Sequence, residues 1–438
     1  MNQAISGFSK LSKIEKIKWI ASTYFANADA AESLLRSYWN SDEKLQQLHD
    51  DFIENTITNF YLPMGIAPNF VINGRTYSVP MVIEESSVVA AASKAAKFWA
   101  SRGGFATEVI DTEKIGQVHF LFEGDTTKLI RFVSDIQQKF RENSAFLTQN
   151  MEKRGGGIRT IELRDKTAEI PHYFQLHATF ETADSMGANF INSCLEQFAK
   201  TLIGEAETWL DFNEKERDIK VVMSILSNYV PDCIVRAEVS CLIEDLAEKN
   251  IPDPRAFAEK FVLATEIAHA ETFRAVTHNK GIMNGIDAVV LATGNDFRAI
   301  EAAVHAYAAR DGKYRSLSRA AIRDGKLYFW LEVPLALGTV GGLTSLHPLV
   351  KFALELLGKP SAQELMQIVA AAGLAQNFAA LRSLTTTGIQ EGHMKMHLNN
   401  ILNQYNATDE EREKVRRHFK KHAISHAAAV SYIEELRK

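Results

Sequence analysis

HYFQLHATFETADSMGANFINSCLEQFAKTL, residues 172–202, decides the fold. Its first nine residues alternate apolar and polar side chains, the mark of a strand with one buried face. DSMGAN (184–189) then breaks the pattern, and a helix is predicted over Asn189–Leu210. Upstream, strands are predicted over Gln117–Phe122 and Ile158–Leu163, with a long helix from about Thr126 to Asn150 between them. Downstream, a last strand covers Ile219–Leu226. The resulting order, β-α-β-β-α-β, is that of a ferredoxin-like domain. The flanking chain has a different style, so this small domain is read as an insertion in a larger one.

The first 50 or so residues read as amphipathic helices carrying Leu34, Leu35 and Leu45. A strand at Tyr77–Ile83 leads into Glu84-Glu85-Ser86-Ser87 and then VVAAASKAAKFWA, whose alanines favour helix. Ser86 or Ser87 suits the N-cap, and Gly103-Gly104 end the helix. Beyond the insertion, a strand at Ile234–Leu242 and a helix at Pro254–Ala270 open a Gly- and Ala-rich region. A helical tail begins near residue 380 and is heavily charged from Asp409. The fold class expected is α+β: a large mixed α/β domain (1–110 and 220–378), a ferredoxin-like insertion (111–219) and a small helical C-terminal unit (379–438).

Composition excludes several classes. The 438 residues are 46% hydrophobic and 24% charged, the profile of a folded globular chain. A net charge of −5 gives no reason to expect nucleic acid. Three cysteines with no CxxC pair point to a reducing compartment and no thiolate metal site. Neither a signal-peptide run nor a membrane-length apolar stretch is read, so the expectation is a cytoplasmic protein with no membrane partner and no metal.

No GxGxxG, HExxH or GxSxG occurs, so any chemistry uses a less common arrangement. The unusual segment is ETFRAVTHNKGIMNGIDAVVLATGNDFRAIEA, residues 271–302. Arg274, His278, Lys280, Asn284, Asp287, Asn295, Asp296 and Arg298 stand there among glycines and small apolar residues. A buried polar group left unpaired costs about 1–3 kcal/mol, so so many of them suggest a built site, although a solvated loop is the plainer reading. A lysine beside an aspartate in such a pocket suits stabilisation of a carbonyl oxygen. Glu85 is a second candidate, though a carboxylate at a helix start also simply satisfies the helix dipole. His393 and His397 have metal-ligand spacing without a further ligand set, and His418, His422 and His426 read as a solvated face. RGGGIR (154–159) and DSMGAN lie at element boundaries, where glycine permits close backbone approach to a phosphate or merely a turn.

Taken together, EES-SVVAAAS, DSMGAN, THNKGIMNGID, ATGND, GLAQN and GIQEGHM resemble the bacterial class II 3-hydroxy-3-methylglutaryl-CoA (HMG-CoA) reductases, in that family's order, over about Glu54 to His397. The resemblance implies a four-electron reduction of HMG-CoA to mevalonate and CoA by two nicotinamide hydrides, through mevaldyl-CoA and mevaldehyde. It implies that Lys280 stabilises the developing oxyanion, Asp296 sits between Lys280 and Glu85, Glu85 is the acid of the aldehyde step, and His393 protonates the departing thiolate. Arg274 would hold the free carboxylate of the substrate, with Ser87 and Asn284 on its acyl portion and Gln376 and Asn377 also binding substrate. Thr148, Asp184, Met186, Gly187, Asn189 and Asn228 match positions that hold the dinucleotide. The resemblance also implies homodimers, or assemblies of dimers, with active sites between subunits, and a C-terminal flap carrying His393.

Two departures are a lost glycine at ENTIT (54–58) and Ser86 where proline is usual. NADH-using relatives carry an aspartate where Thr148 stands, and Lys153, Arg154 and Arg159 lie near, which favours NADPH over NADH. The basic residues also suit the end of the preceding helix. Two other readings keep the fold: an NAD-dependent reverse reaction in mevalonate catabolism, and a catalytically silent acyl-CoA-binding protein.

Overall fold

The computed structural model describes residues 4–386, 398–419, 422 and 425–437. Residues Met1–Pro63 form one compact unit and Met64–Lys438 another. The first contains helices α1 (Lys13–Tyr24), α2 (Ala28–Ser37) and α3 (Glu43–Asp50). Ser12 and Glu15 form a capping box at α1, and Lys13 pairs with Asp50 at 2.7 Å, tying α1 to α3.

The second unit opens with the antiparallel hairpin β1 (Met64–Ile72) and β2 (Arg75–Val82), followed by α4 (Val88–Ala100). Gly104, at φ 77°, ends that passage where a Cβ would meet the Val71 carbonyl oxygen at 2.4 Å, so only glycine fits. Strand β3 (Ala106–Val109) then leads into the insertion.

The insertion comprises β4 (Lys114–Leu121), α5 (Thr126–Asp135), α6 (Gln137–Glu152), β5 (Gly157–Asp165), β6 (Tyr173–Glu181), α7 (Ala188–Thr208), α8 (Glu214–Arg217) and β7 (Lys220–Ser227). Its sheet is fully antiparallel with order β5-β6-β4-β7, the split βαβ arrangement. Strand β7 pairs with β4, so the chain of this sheet runs to Ser227. One face is covered by helices around a phenylalanine-rich core that includes Phe120, Phe132, Phe140, Phe174, Phe180 and Phe198. The single long helix expected over Thr126–Asn150 is two helices. Ile136, buried, sits at φ −94°, ψ 5° and ends α5, which lets Phe132 and Phe140 both enter that core. No proline or glycine announces the break.

The remaining elements are β8 (Ile234–Leu242), α9 (Pro254–Ala270), α10 (Thr272–Ala292), α11 (Phe297–Ala308), β9 (Ser318–Arg323), β10 (Lys326–Pro334), α12 (Leu343–Leu346), α13 (Pro348–Leu356) and α14 (Ala362–Thr385). A second antiparallel sheet has order β3-β8-β10-β9. A separate core joins it to the helices: Phe261 stacks edge-on to Phe329 at 5.0 Å, and Phe378 lies 5.0 Å from both Phe98 and Trp99. The chain is thus α+β. In the tail, helical residues 398–404, Asp409–His418 and His426–Leu436 share a small core of Leu402, Val415 and Ile433. His418 stacks on His422 at 4.2 Å and on Tyr432 at 4.0 Å, so it is a packed residue and not a purely solvated one.

The odd segment 271–302 is mostly α10, whose second half is largely buried while Phe273, Val276, Thr277 and Lys280 form an exposed stripe on its first half. Glycines make that burial possible. A Cβ on Gly285 would meet the Ala372 carbonyl oxygen at 2.5 Å, and one on Gly373 would meet Ile286 at 2.8 Å. Helices α10 and α14 therefore cross backbone to backbone, which fixes the helix that carries Lys280.

Candidate active site

Lys280 and Glu85 come together across 195 residues of sequence. The Lys280 Nζ donates to Glu85 Oε2 at 3.2 Å, and Ser87 Oγ donates to Glu85 Oε1 at 3.1 Å. Glu85 lies at the turn from β2 into α4, and Ser87 takes the N-cap position of α4 without capping it, because its hydroxyl is turned to Glu85. The lysine side chain is 63% exposed, so this cation faces open space from a rigid helix. Asn284, one turn along, shares its face of α10 and is half-buried.

Asp296 caps α11, accepting from the amides of Arg298 and Ala299, and both its oxygens receive the Arg298 guanidinium at 3.1 Å. The expected bridge from Asp296 to Lys280 and Glu85 is therefore not formed here, because a cation two residues away on the same helix takes the carboxylate instead. Burial raises the Asp296 pKa, but the Arg298 contact and helix amides outweigh it and hold the carboxyl below its ordinary range. The neighbouring Asn295 accepts from Gly338 N at 2.8 Å and braces the 338–340 loop.

Arg274 is half-buried on α10, and burial lowers its pKa. No side-chain hydrogen bond engages its guanidinium among the described residues. Its charge acts on His278, one turn on. Burial first and that charge second push the His278 pKa down to about 3, so the imidazole is neutral. His278 Nε2 lies 2.6 Å from Ser318 Oγ, which donates to Asn377 Oδ1 at 2.7 Å. This chain ties α10 to β9 and α14, and neither His278 nor Ser318 had been assigned a role from sequence. A histidine inside an apolar helical run was the available signal; Ser318 had none.

Gln376 and Asn377, expected on the substrate, are buried at 6% and 1% exposure. Asn377 belongs to the His278–Ser318 chain, while Gln376 leaves its Oε1 enclosed with no hydrogen-bond partner among the described residues. Their place at the α10–α14 crossing explains the burial. His393 lies outside the described residues.

The DSMGAN turn meets the second layer of the molecule. Gly187, at φ 88°, opens the 21-residue helix α7, and a Cβ there would strike Thr182 at 2.3 Å. Asp184 is committed structurally: its Oδ1 accepts from Ala362 N at 2.8 Å at the start of α14, and its carbonyl accepts from Thr339 N at 2.8 Å. Met186, Ala188 and Asn228 line a tight crevice of about 20 Å³ together with Lys114 and Ala303. Asn189 is exposed at the start of α7.

A wider cleft of about 540 Å³ lies beside Arg154, Gly155–Gly157, Asp184 and Ser361. Two expectations change there. Thr148 is 2% exposed on the inner face of α6, so its side chain points into the core and not onto the surface. Arg159 is bound by Asp111 at 2.8 Å, Glu181 at 2.9 Å and Glu113 at 3.5 Å, so three carboxylates already neutralise it. Arg154 donates to the Asn150 carbonyl at 3.2 Å near the end of α6 and lines the cleft.

Among the described residues, no helix is long and apolar enough to cross a membrane. A family model described as hydroxymethylglutaryl-coenzyme A reductase matches residues 14–398. The 3-hydroxy-3-methylglutaryl-coenzyme A reductase of Archaeoglobus fulgidus is 38% identical over 420 residues, 95% of this chain and 90% of that protein. A probable reductase of the same name from Borreliella burgdorferi is 36% identical over 422 residues, 94% of this chain and 92% of its own. The solved reductase of Streptococcus pneumoniae superposes with a TM-score of 0.73 at 34% identity, covering 99% of this chain and all of that one. Another structure from that organism, described as the class II enzyme bound to NADPH in open conformations, gives 0.71 at 36% identity over 87% of this chain and 100% of that one. The quoted motifs thus sit on a shared fold over nearly the whole chain, which belongs to the hydroxymethylglutaryl-coenzyme A reductase family of oxidoreductases.

Proposed function

We propose that this chain reduces HMG-CoA to mevalonate and CoA through mevaldyl-CoA and mevaldehyde, consuming two nicotinamide nucleotides. The observation that carries the reading is the Lys280–Glu85 pair, held at 3.2 Å by elements far apart in sequence and left accessible. An exposed pair contributes about 0–1 kcal/mol to stability, so its placement on a rigid helix serves chemistry better than folding.

Lys280 stabilises negative charge building on the thioester and then the aldehyde oxygen. Glu85, already hydrogen-bonded to that lysine and to Ser87, delivers a proton in the aldehyde step. Asp296 is one helix start away, and exchange of its Arg298 partner for Lys280 would bring it into the site. Arg274, whose planar guanidinium no described residue engages by a side-chain hydrogen bond, takes the substrate carboxylate. Asn284 and Ser87 serve the acyl portion, while Gln376 and Asn377 shape the pocket from behind. His393 protonates the departing thiolate so that it does not re-attack the aldehyde.

The residues near DSMGAN fit a dinucleotide: Gly187 leaves the α7 amides approachable, and the cleft beside it is lined by Met186, Ala188 and Asn228. When bound, the nicotinamide supplies hydride. NADPH is favoured, now on Arg154, which lines the cleft, and on Lys153 beside it in sequence, next to the triple glycine. Thr148 and Asp184 support the site through packing and hydrogen bonds. The substrate part would be 1–110 and 220–378, the nucleotide part 111–219 with β7 counted in its sheet, and the flap 379–438. We also infer a homodimer with sites between subunits, in the cytoplasm.

The test is nicotinamide oxidation on mixing with HMG-CoA, with two equivalents consumed per CoA released. No oxidation of either NADH or NADPH would overturn the reading. Comparing kcat/KM for the reduced and oxidised forms of both nucleotides separates synthesis from mevalonate oxidation.

A further inference from the structure

Lys114, at the start of β4, is a buried cation without a counterion. It is 5% exposed, and among the described residues its ammonium has neither a hydrogen-bond acceptor nor an ion-pair partner. Burying a charge unpaired is costly, because the interior does not replace the water it loses. The carboxylates around it are committed elsewhere: Asp111, Glu113 and Glu181 all pair with Arg159.

The lysine lies against the first turns of α7. It shares a face of β4 with Gly116, where a Cβ would meet Leu195 at 2.5 Å and Ile191 at 2.9 Å. Its cross-strand partner Phe180 packs edge-on to Phe190 at 6.0 Å. Lys114 and Ala188 both line the crevice of about 20 Å³, which Ala299 and Ala303 of α11 close from the other side.

Helix α7 turns its positive end to this crevice. No side chain caps it, no acidic residue stands in its first turn, and the amides of Ala188, Asn189 and Phe190 meet no acceptor among the described residues. Asp184, just ahead of the helix, accepts from Ala362 N instead. A helix start attracts carboxylates and disfavours ammonium groups. A buried lysine beside an uncapped helix start therefore adds to the electrostatic cost of both, and an anion between them relieves both.

We propose that Lys114 and the first amides of α7 hold a phosphate oxygen, and that the group they take is the diphosphate of the nicotinamide dinucleotide. The choice of ligand rests on the reductase reading above. A space of about 20 Å³ admits one oxygen atom, since a single water needs about 10–15 Å³. The rest of the diphosphate lies at the mouth, where Gly187 and Ala188 are half-buried and Asn189 and Asn228 are exposed. A diphosphate is common to NADH and NADPH, so Lys114 serves affinity for either nucleotide, in contrast to a contact with the 2′-phosphate.

Lys114→Met tests this in the full-length protein, since it keeps the length of the side chain and removes the charge. Dissociation constants for NADPH and NADH, read by fluorescence titration, should rise together by about ten- to hundredfold, the loss of one hydrogen bond to a charged group. KM for HMG-CoA and the affinity for CoA, which carries a diphosphate of its own, should not change. Without ligand, K114M should unfold at a higher temperature than the wild type, because it no longer buries an unpaired cation. Inorganic pyrophosphate should raise the wild-type midpoint and leave that of K114M unmoved. Unchanged affinity for both nucleotides overturns the site. A loss confined to NADPH places the lysine on the 2′-phosphate, and a loss confined to CoA gives it to the other substrate; either overturns the assignment. A lowered midpoint of unliganded K114M makes Lys114 a packing residue and overturns it as well. Absence of HMG-CoA turnover in the wild type, with the nucleotide and pyrophosphate effects intact, would count against the reductase reading and still support the anion site.

Discussion

Replacing Gly285 by alanine tests whether the α10–α14 crossing sets the site. The new Cβ would lie 2.5 Å from the Ala372 carbonyl oxygen and 2.9 Å from the Gln376 Cβ, where ordinary contact begins at 3.4 Å. The obstacle is backbone, which cannot swing aside, so α10 must withdraw by about 0.9 Å, the gap between the first and last of those distances. Overpacking of this kind costs about 1–3 kcal/mol. Removing a mid-helix glycine returns about 1 kcal/mol, leaving a net loss of about 0–2 kcal/mol. The functional effect should be larger than the thermodynamic one. Lys280 is five residues upstream on the same rigid helix, and misplacement by about 1 Å can cost about a hundredfold in rate. Urea denaturation and steady-state kinetics with HMG-CoA measure the two. Gly204 of α7 is the control, since a Cβ there meets nothing within 4 Å, and G204A should stabilise by about 0.5–1 kcal/mol. If G285A matched G204A in stability and left kcat unchanged, the backbone-to-backbone crossing would not be what positions Lys280.

Further predictions address the charges. Lys280→Ala should abolish turnover yet leave the denaturation midpoint within about 1 kcal/mol, because its ion pair is exposed; a folded, active K280A would remove the lysine from the mechanism. Arg159→Ala should loosen the insertion by about 1 kcal/mol after allowance for solvent screening, by leaving Asp111, Glu113 and Glu181 without their common cation. Burial raises the Asp111 pKa but the Arg159 bond more than offsets it, so this stabilisation is present above the ordinary carboxylate range and is lost as pH falls through the depressed pKa. An acid-unfolding profile unchanged in R159A would contradict that sign. Arg382→Ala should cost about 1–3 kcal/mol, since it removes a buried guanidinium that lies over Phe98 and leaves the partly exposed Glu248 carboxylate without its cation, and calorimetry checks it. Arg154→Ala should raise KM for NADPH more than for NADH; equal effects would place the 2′-phosphate elsewhere.

By itself the sequence determined what depends on local periodicity and on motif chemistry. The alternation of HYFQLHATF and the βαββαβ order specified the insertion, because a strand with one buried face must alternate. EES-SVVAAAS placed Glu85 at a strand-to-helix turn for the same kind of local reason. Segment 271–302 was recognisable as unusual but not as a helix: the exposed stripe of α10 carries the apolar Phe273 and Val276 and its second half is largely buried, so no polar face sets a 3.6-residue rhythm. The tertiary structure alone decided partners. Asp296 meets Arg298, Arg159 meets three carboxylates, Asp184 accepts from the first amide of α14, and Thr148 turns inward. An ion pair or hydrogen bond is a matter of a few ångströms between elements, and no one-dimensional pattern encodes that distance.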